Sequence, residues 1–241
     1  MTPTPATRLS APRTSWLGPF LAVVCCSLFA SQAFAHGVAE DDASFLEQSA
    51  GTKLIPYLYL GAKHMVTGYD HLLFLLGVIF YLYKLRDIAL YVTLFSIGHS
   101  VTLLIGVLGG LHINPYIIDA IIGFSVVYKA LDNVGAFQRW FGFQPNPKTA
   151  VLVFGLFHGF GLATKLQDFT ISRDGLVPNI LAFNLGVEVG QLLALTLVLL
   201  AMSFWRRCAA FDRQAFNANV ALMSAGFVLI GYQLTGLFAA S

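Results

Sequence analysis

The sequence predicts an all-α, polytopic membrane helix bundle of about six transmembrane helices behind a cleavable signal peptide. Three observations carry that prediction. The 241 residues are 57% hydrophobic and 11% charged, with a mean hydropathy of +0.73, too little charge to cover a soluble domain of this size. Apolar runs of roughly the 20 residues that cross the hydrocarbon recur along the chain. Lys and Arg collect in alternate connections between those runs, the pattern that orients a protein in a bilayer. Net charge is only +2 and no basic patch forms, so the lipid bilayer is an implied partner and nucleic acid is not.

Arg8 and Arg13 precede an apolar core from Trp16 to Leu28, and Ala33-Phe34-Ala35 has the small-x-small form of a cleavage site. Residues 1–35 therefore read as a signal peptide, with the mature chain starting at His36. A free amine beside the His36 imidazole would chelate Cu(II) or Ni(II), which makes His36 a candidate for metal capture. Residues 36–52 form a short acidic tail carrying Glu40, Asp41, Asp42 and Glu47, and residues 53–241 the six-helix transmembrane domain. Of three cysteines only Cys208 lies beyond the leader. Neither a disulfide nor a thiolate metal cage is available within one chain, and any metal site must use N and O ligands.

The predicted spans fall near 54–83, 88–110, 114–133, 149–166, 178–204 and 217–238. The first run is long and holds Gly61 and Gly68, which predicts a bend near Gly68. Connections bearing Lys84 and Arg86, Arg139 and Lys148, and Arg206, Arg207 and Arg213 alternate with the less basic connections Gly109–Pro115 and Lys165–Gly175. Basic connections face the cytoplasm, so both mature termini are expected in the periplasm and the bundle in the inner membrane.

Ionisable groups at mid-bilayer cost about 2.5–3.5 kcal/mol on insertion scales and normally face the bundle interior with a partner. His64 and His71 stand seven residues apart, two turns along one helix face. Asp70 lies about a third of a turn from that face, placed to bind an ion or to hold an imidazole. The second span carries His99-Ser100, the third Asp119 nearer its outer end, and the fourth His158 within Gly155-Leu156-Phe157-His158-Gly159-Phe160-Gly161. In the fifth, Asn184, Glu188 and Gln191 follow i, i+4, i+7 spacing beside Gly186 and Gly190. Each residue alone reads as interhelical hydrogen-bond glue, but His64, His71, His99, His158, Asp70 and Glu188 all fall near the middle third of four spans. That coincidence in depth predicts a polar centre, with Ser100, Asp119, Asn184 and Gln191 in support. Met65 reads as packing. Imidazole with carboxylate and no thiolate suits Ni, Co, Zn or Cu(II), and affinity order does not choose among them.

His64-x-x-x-Gly68-x-Asp70-His71 followed by Leu72-Leu73-Phe74, then His99-Ser100, His158-Gly159-Phe160-Gly161 and Asn184-Leu185-Gly186-Val187-Glu188-x-Gly190-Gln191, resembles the HupE/UreJ family of hydrogenase- and urease-associated membrane proteins. The similarity runs from about residue 52 to 238, with Met65 where better known members have proline. The resemblance implies a six-helix permease that takes up nickel for metalloenzyme maturation, with His64, Asp70 and His71 in the ion path. It implies no enzymatic activity and no permanently bound cofactor, the divalent metal being cargo and maturation proteins its recipients. Two other classes share these residues: an intramembrane metal-dependent hydrolase, in which histidines hold zinc and Asp70 or Glu188 activates water, and an accessory or assembly subunit that binds a metal without moving it.

Overall fold

The computed structural model describes residues 51–167 and 174–240. The predicted leader, His36 and the acids Glu40, Asp41, Asp42 and Glu47 lie outside them. The described residues form eight α-helices and no strand: α1 (Leu54–Thr67), α2 (Tyr69–Ile79), α3 (Leu85–Gly109), α4 (Pro115–Asn133), α5 (Ala136–Phe141), α6 (Pro147–Gln167), α7 (Leu176–Arg206) and α8 (Phe211–Ala239).

Local chemistry sets several boundaries. Asn114 caps α4 by accepting the Tyr116 N–H at 3.0 Å, and Pro115 occupies the first turn, where its missing N–H is no loss. α3 stops at Gly110, whose φ of +62° is left-handed backbone and whose N–H bonds the Gly106 carbonyl. α8 begins well before the apolar run at 217, because Phe211, Ala215 and Leu222 bury one face while Asp212, Arg213 and Gln214 on the other dilute the local hydropathy.

Four helices, α3, α6, α7 and α8, are long and apolar enough to cross a membrane, where the sequence shows six apolar runs. The two exceptions have physical causes. The first run breaks at Gly68, where the bend was expected, into helices of 14 and 11 residues. α4 has 19 residues but carries Asp119, Lys129 and Asp132, and the last two pair with each other. α5 is an unpredicted turn of helix between the third and fourth runs.

The helices associate chiefly as three pairs, α3 with α6, α1 with α7 and α4 with α8, and each seam is built on glycine. A methyl on Gly186 would overlap the Leu58 carbonyl and one on Gly61 the Phe183 carbonyl, so α1 and α7 touch backbone to backbone. Gly98, Gly155 and Gly159 do the same for α3 and α6, and Gly123 and Gly226 for α4 and α8. Lipid tails are as apolar as leucine, so this close approach, rather than water exclusion, holds such helices together. Thr102 reinforces the α3–α6 seam by donating to the Leu156 carbonyl at 2.7 Å.

Polar ties close both ends. Where α1 and α7 start, Asn179 accepts the Lys53 N–H at 2.7 Å and donates to the Gly51 carbonyl at 2.9 Å. At the opposite end Arg206 donates to the carbonyl of Ile79, the last residue of α2, and to those of Phe80 and Leu82 just beyond it, where a cation meets the negative end of the helix. Asn133 donates there to the Gly77 carbonyl and to Asn219 Oδ1, both at 2.9 Å.

Candidate metal centre

The break at Gly68 builds the first half of the site. The Gly68 N–H still bonds the His64 carbonyl at 2.8 Å, but its ψ of 96° is extended and ends α1. A methyl on Gly68 would stand 2.8 Å from His71 Nδ1 and 3.1 Å from Asp70 Oδ1, so glycine leaves room for both side chains. Asp70 and His71 then occupy the first turn of α2, where open N–H groups favour a carboxylate. Asp70 Oδ1 accepts the His71 backbone N–H and the His71 Nδ1–H, each at 2.9 Å. Bonding to the carboxylate assigns the ring proton to Nδ1 and leaves Nε2 with a free lone pair.

His71 is the hub of a four-imidazole cluster. Ring centroids lie 4.9 Å from His158, 5.2 Å from His64 and 5.9 Å from His99. α1, α2, α3 and α6 thus each contribute one ring, and the glycine seam between α3 and α6 brings His99 and His158 in. At 1.5 Å per residue, His64, His99 and His158 all lie about 15 Å from the ends of their helices on the side of the Gly109–Pro115 connection. His71, His99 and His158 are buried, while His64 and Asp70 are half-buried. His158 Nδ1–H donates to the Phe154 carbonyl at 2.7 Å, which again presents Nε2 as the basic nitrogen.

Ring nitrogens of all four histidines are unsatisfied among the described residues. Nε2 of His64, His71 and His158 and both ring nitrogens of His99 are buried without a hydrogen-bond partner among the described residues. Buried polar atoms in native proteins almost always have partners, and leaving one bare costs about 1–3 kcal/mol. Two imidazoles bound to one ion at about 2.0–2.1 Å per nitrogen place their ring centres about 5 Å apart, close to the spacings around His71. The lone pairs do not yet converge: among the described residues no three His, Cys, Asp or Glu groups are arranged to hold one ion together.

The remaining sequence candidates divide. Gln191 is buried, donates to the Val92 carbonyl at 3.4 Å, and lines a small, mostly apolar cavity beside His71 with Met65, Phe74, Val92, Phe95 and Val151. Met65 is packing, as expected. Asn184 is half-buried with Oδ1 unsatisfied among the described residues. Ser100 is half-buried and lies one residue off the face that buries His99. Glu188 does not join the cluster. Its helix buries Phe183, Gly186, Val187, Gly190 and Gln191 against its neighbours, and Glu188 lies on the opposite face, exposed.

Asp119 has a partner that the sequence did not identify. Lys165 Nζ lies 2.9 Å from Asp119 Oδ2, although Lys165 reads in sequence as the start of a connection. Phe74 and Phe95 were also unassigned. Their rings lie 5.3 and 5.0 Å from His158 and 5.4 Å from each other, closing the side of the centre that faces the basic connections.

A family model described as HupE / UreJ protein matches residues 40–241. No curated protein and no solved structure matches the chain.

Proposed function

The chain belongs to the HupE/UreJ family, and on that premise we propose that it is a secondary permease carrying a divalent transition metal, nickel foremost, from periplasm to cytoplasm through the histidine centre. The observation that carries this reading is the set of partnerless imidazole nitrogens grouped around His71. Their chemistry is that of a borderline cation, with cobalt, zinc and copper(II) as the other ions such donors accept. Imidazoles packed close together without a preformed ligand set suit a passing ion better than a resident one, because a transport site must also release its cargo. Metalloenzyme maturation proteins are the natural recipients on the cytoplasmic side.

The helix broken at mid-depth supports the same reading. Discontinuous helices place half-helix termini at the ion sites of secondary transporters, where irregular backbone is tolerated because it lines a cavity. On this reading the bundle crosses the inner membrane six times. α1 and α2 together have 25 residues, about 38 Å of rise, and α4 about 28 Å, against a hydrocarbon core of about 30 Å. The connections bearing Lys84, Arg139 and Arg206 face the cytoplasm and both mature termini face the periplasm. A hydrolase would need a free carboxylate beside the imidazoles as its base; among the described residues Glu188 is turned away, Asp70 is bonded to His71 and Asp119 is paired with Lys165.

The test is uptake of radioactive nickel by proteoliposomes holding the purified chain. Wild type should accumulate the ion. His71→Ala, inserted to the same level, should not, and equal uptake by the variant would remove the transport claim.

A further inference from the structure

Resting on the transport reading, we propose that the Lys165–Asp119 ion pair is the outer gate of the histidine centre, where an incoming divalent cation exchanges with the Lys165 ammonium on the Asp119 carboxylate before it reaches the imidazoles. The placement is specific. His158, Gly161 and Lys165 follow i, i+3, i+7 along one face of α6. Asp119 reaches across from α4 so that its Oδ1 lies 3.4 Å from where a methyl on Gly161 would stand, and its Oδ2 pairs with Lys165 at 2.9 Å. The carboxylate therefore sits against Gly161, which is three residues beyond His158 along α6. Both side chains are largely buried, 23% and 11% exposed.

Charge explains why a cation belongs there. With the imidazoles unprotonated, as metal binding requires, Asp70, Asp119 and Lys165 carry one net negative charge. A divalent ion entering this set leaves it one positive, so Lys165 keeps the ion from settling too deeply. Without Lys165 the two carboxylates would neutralise the ion fully and hold it.

Nickel uptake by proteoliposomes, measured against nickel concentration, tests this with four variants beside His71→Ala. Lys165→Met should lower both the half-saturating concentration and the maximal rate, because the ion is held and not released. Asp119→Asn should raise the half-saturating concentration about tenfold, the change expected from losing one charged contact. Lys165→Arg, which keeps the pair, should transport. The swap Asp119→Lys with Lys165→Asp restores a structural ion pair but moves the cation from α6 to α4 and the carboxylate away from Gly161, so it should recover thermal stability without recovering uptake. Wild-type kinetics in Lys165→Met and Asp119→Asn, or full uptake by the swap, would overturn the gate, and loss of uptake in His71→Ala would then show that the transport reading stands without it. Uptake retained in His71→Ala would instead remove the transport reading, and the gate with it.

Discussion

Asp70 offers the sharpest quantitative handle on the centre, because one oxygen carries two separable duties. Asp70 Oδ1 accepts the His71 N–H and Nδ1–H at 2.9 Å each, fixing the ring's orientation and its tautomer. Asparagine keeps an acceptor oxygen in the same place and removes only the charge, whereas alanine removes the acceptor as well. Partners of this kind affect metal affinity by about 10–100-fold. Asp70→Asn should fall at the low end, about tenfold or 1.4 kcal/mol, because ring orientation survives. Asp70→Ala should reach about a hundredfold, or 2.8 kcal/mol, because the His71 ring can then turn and exchange its proton between nitrogens. Calorimetric titration of nickel into purified protein in detergent measures both. Wild-type affinity in both variants would refute the role given to Asp70, and equal loss in both would show that charge alone matters and orientation does not.

Two further outcomes follow from packing. Gly186→Leu should force α1 away from α7, since even a methyl there overlaps the Leu58 carbonyl. Overpacking costs about 1–3 kcal/mol, so the midpoint of thermal unfolding in detergent should drop, and an unchanged midpoint would contradict the glycine seam. Glu188→Gln should leave nickel affinity unchanged because Glu188 is exposed on the face of α7 away from α1; a loss matching that of Asp70→Ala would place its carboxylate in the centre after all.

Much of this arrangement could be read from local sequence, and what could not depends on register between distant helices. The break at Gly68 was legible because glycine inside an over-long apolar run, three residues before a histidine and two before an aspartate, has few other uses. The common depth of the four histidines followed from counting residues along each span. Glu188 went astray because the i, i+4, i+7 polar stripe suggested an inward face. The contrary signal was present: Gly186 and Gly190 each lie two residues from Glu188, about 200° around the helix, so the face that packs through glycine turns Glu188 away. The start of α8 was missed because polar residues on its outer face masked a buried stripe at Phe211, Ala215 and Leu222. Nothing local pairs Asp119 with Lys165, which are far apart in sequence. Their contact is set by how α4 and α6 slide past each other, and that is decided by side chains along the whole seam.

The central claim is that imidazoles from separate helices share one ion, and X-ray absorption at the nickel edge of the loaded protein tests it most directly. The spectrum should show a nitrogen and oxygen shell with the multiple scattering of three or more imidazole rings and no sulfur. That signal should weaken in His99→Ala and in His158→Ala alike. A shell of oxygen ligands without imidazole scattering, or one indifferent to both substitutions, would contradict it.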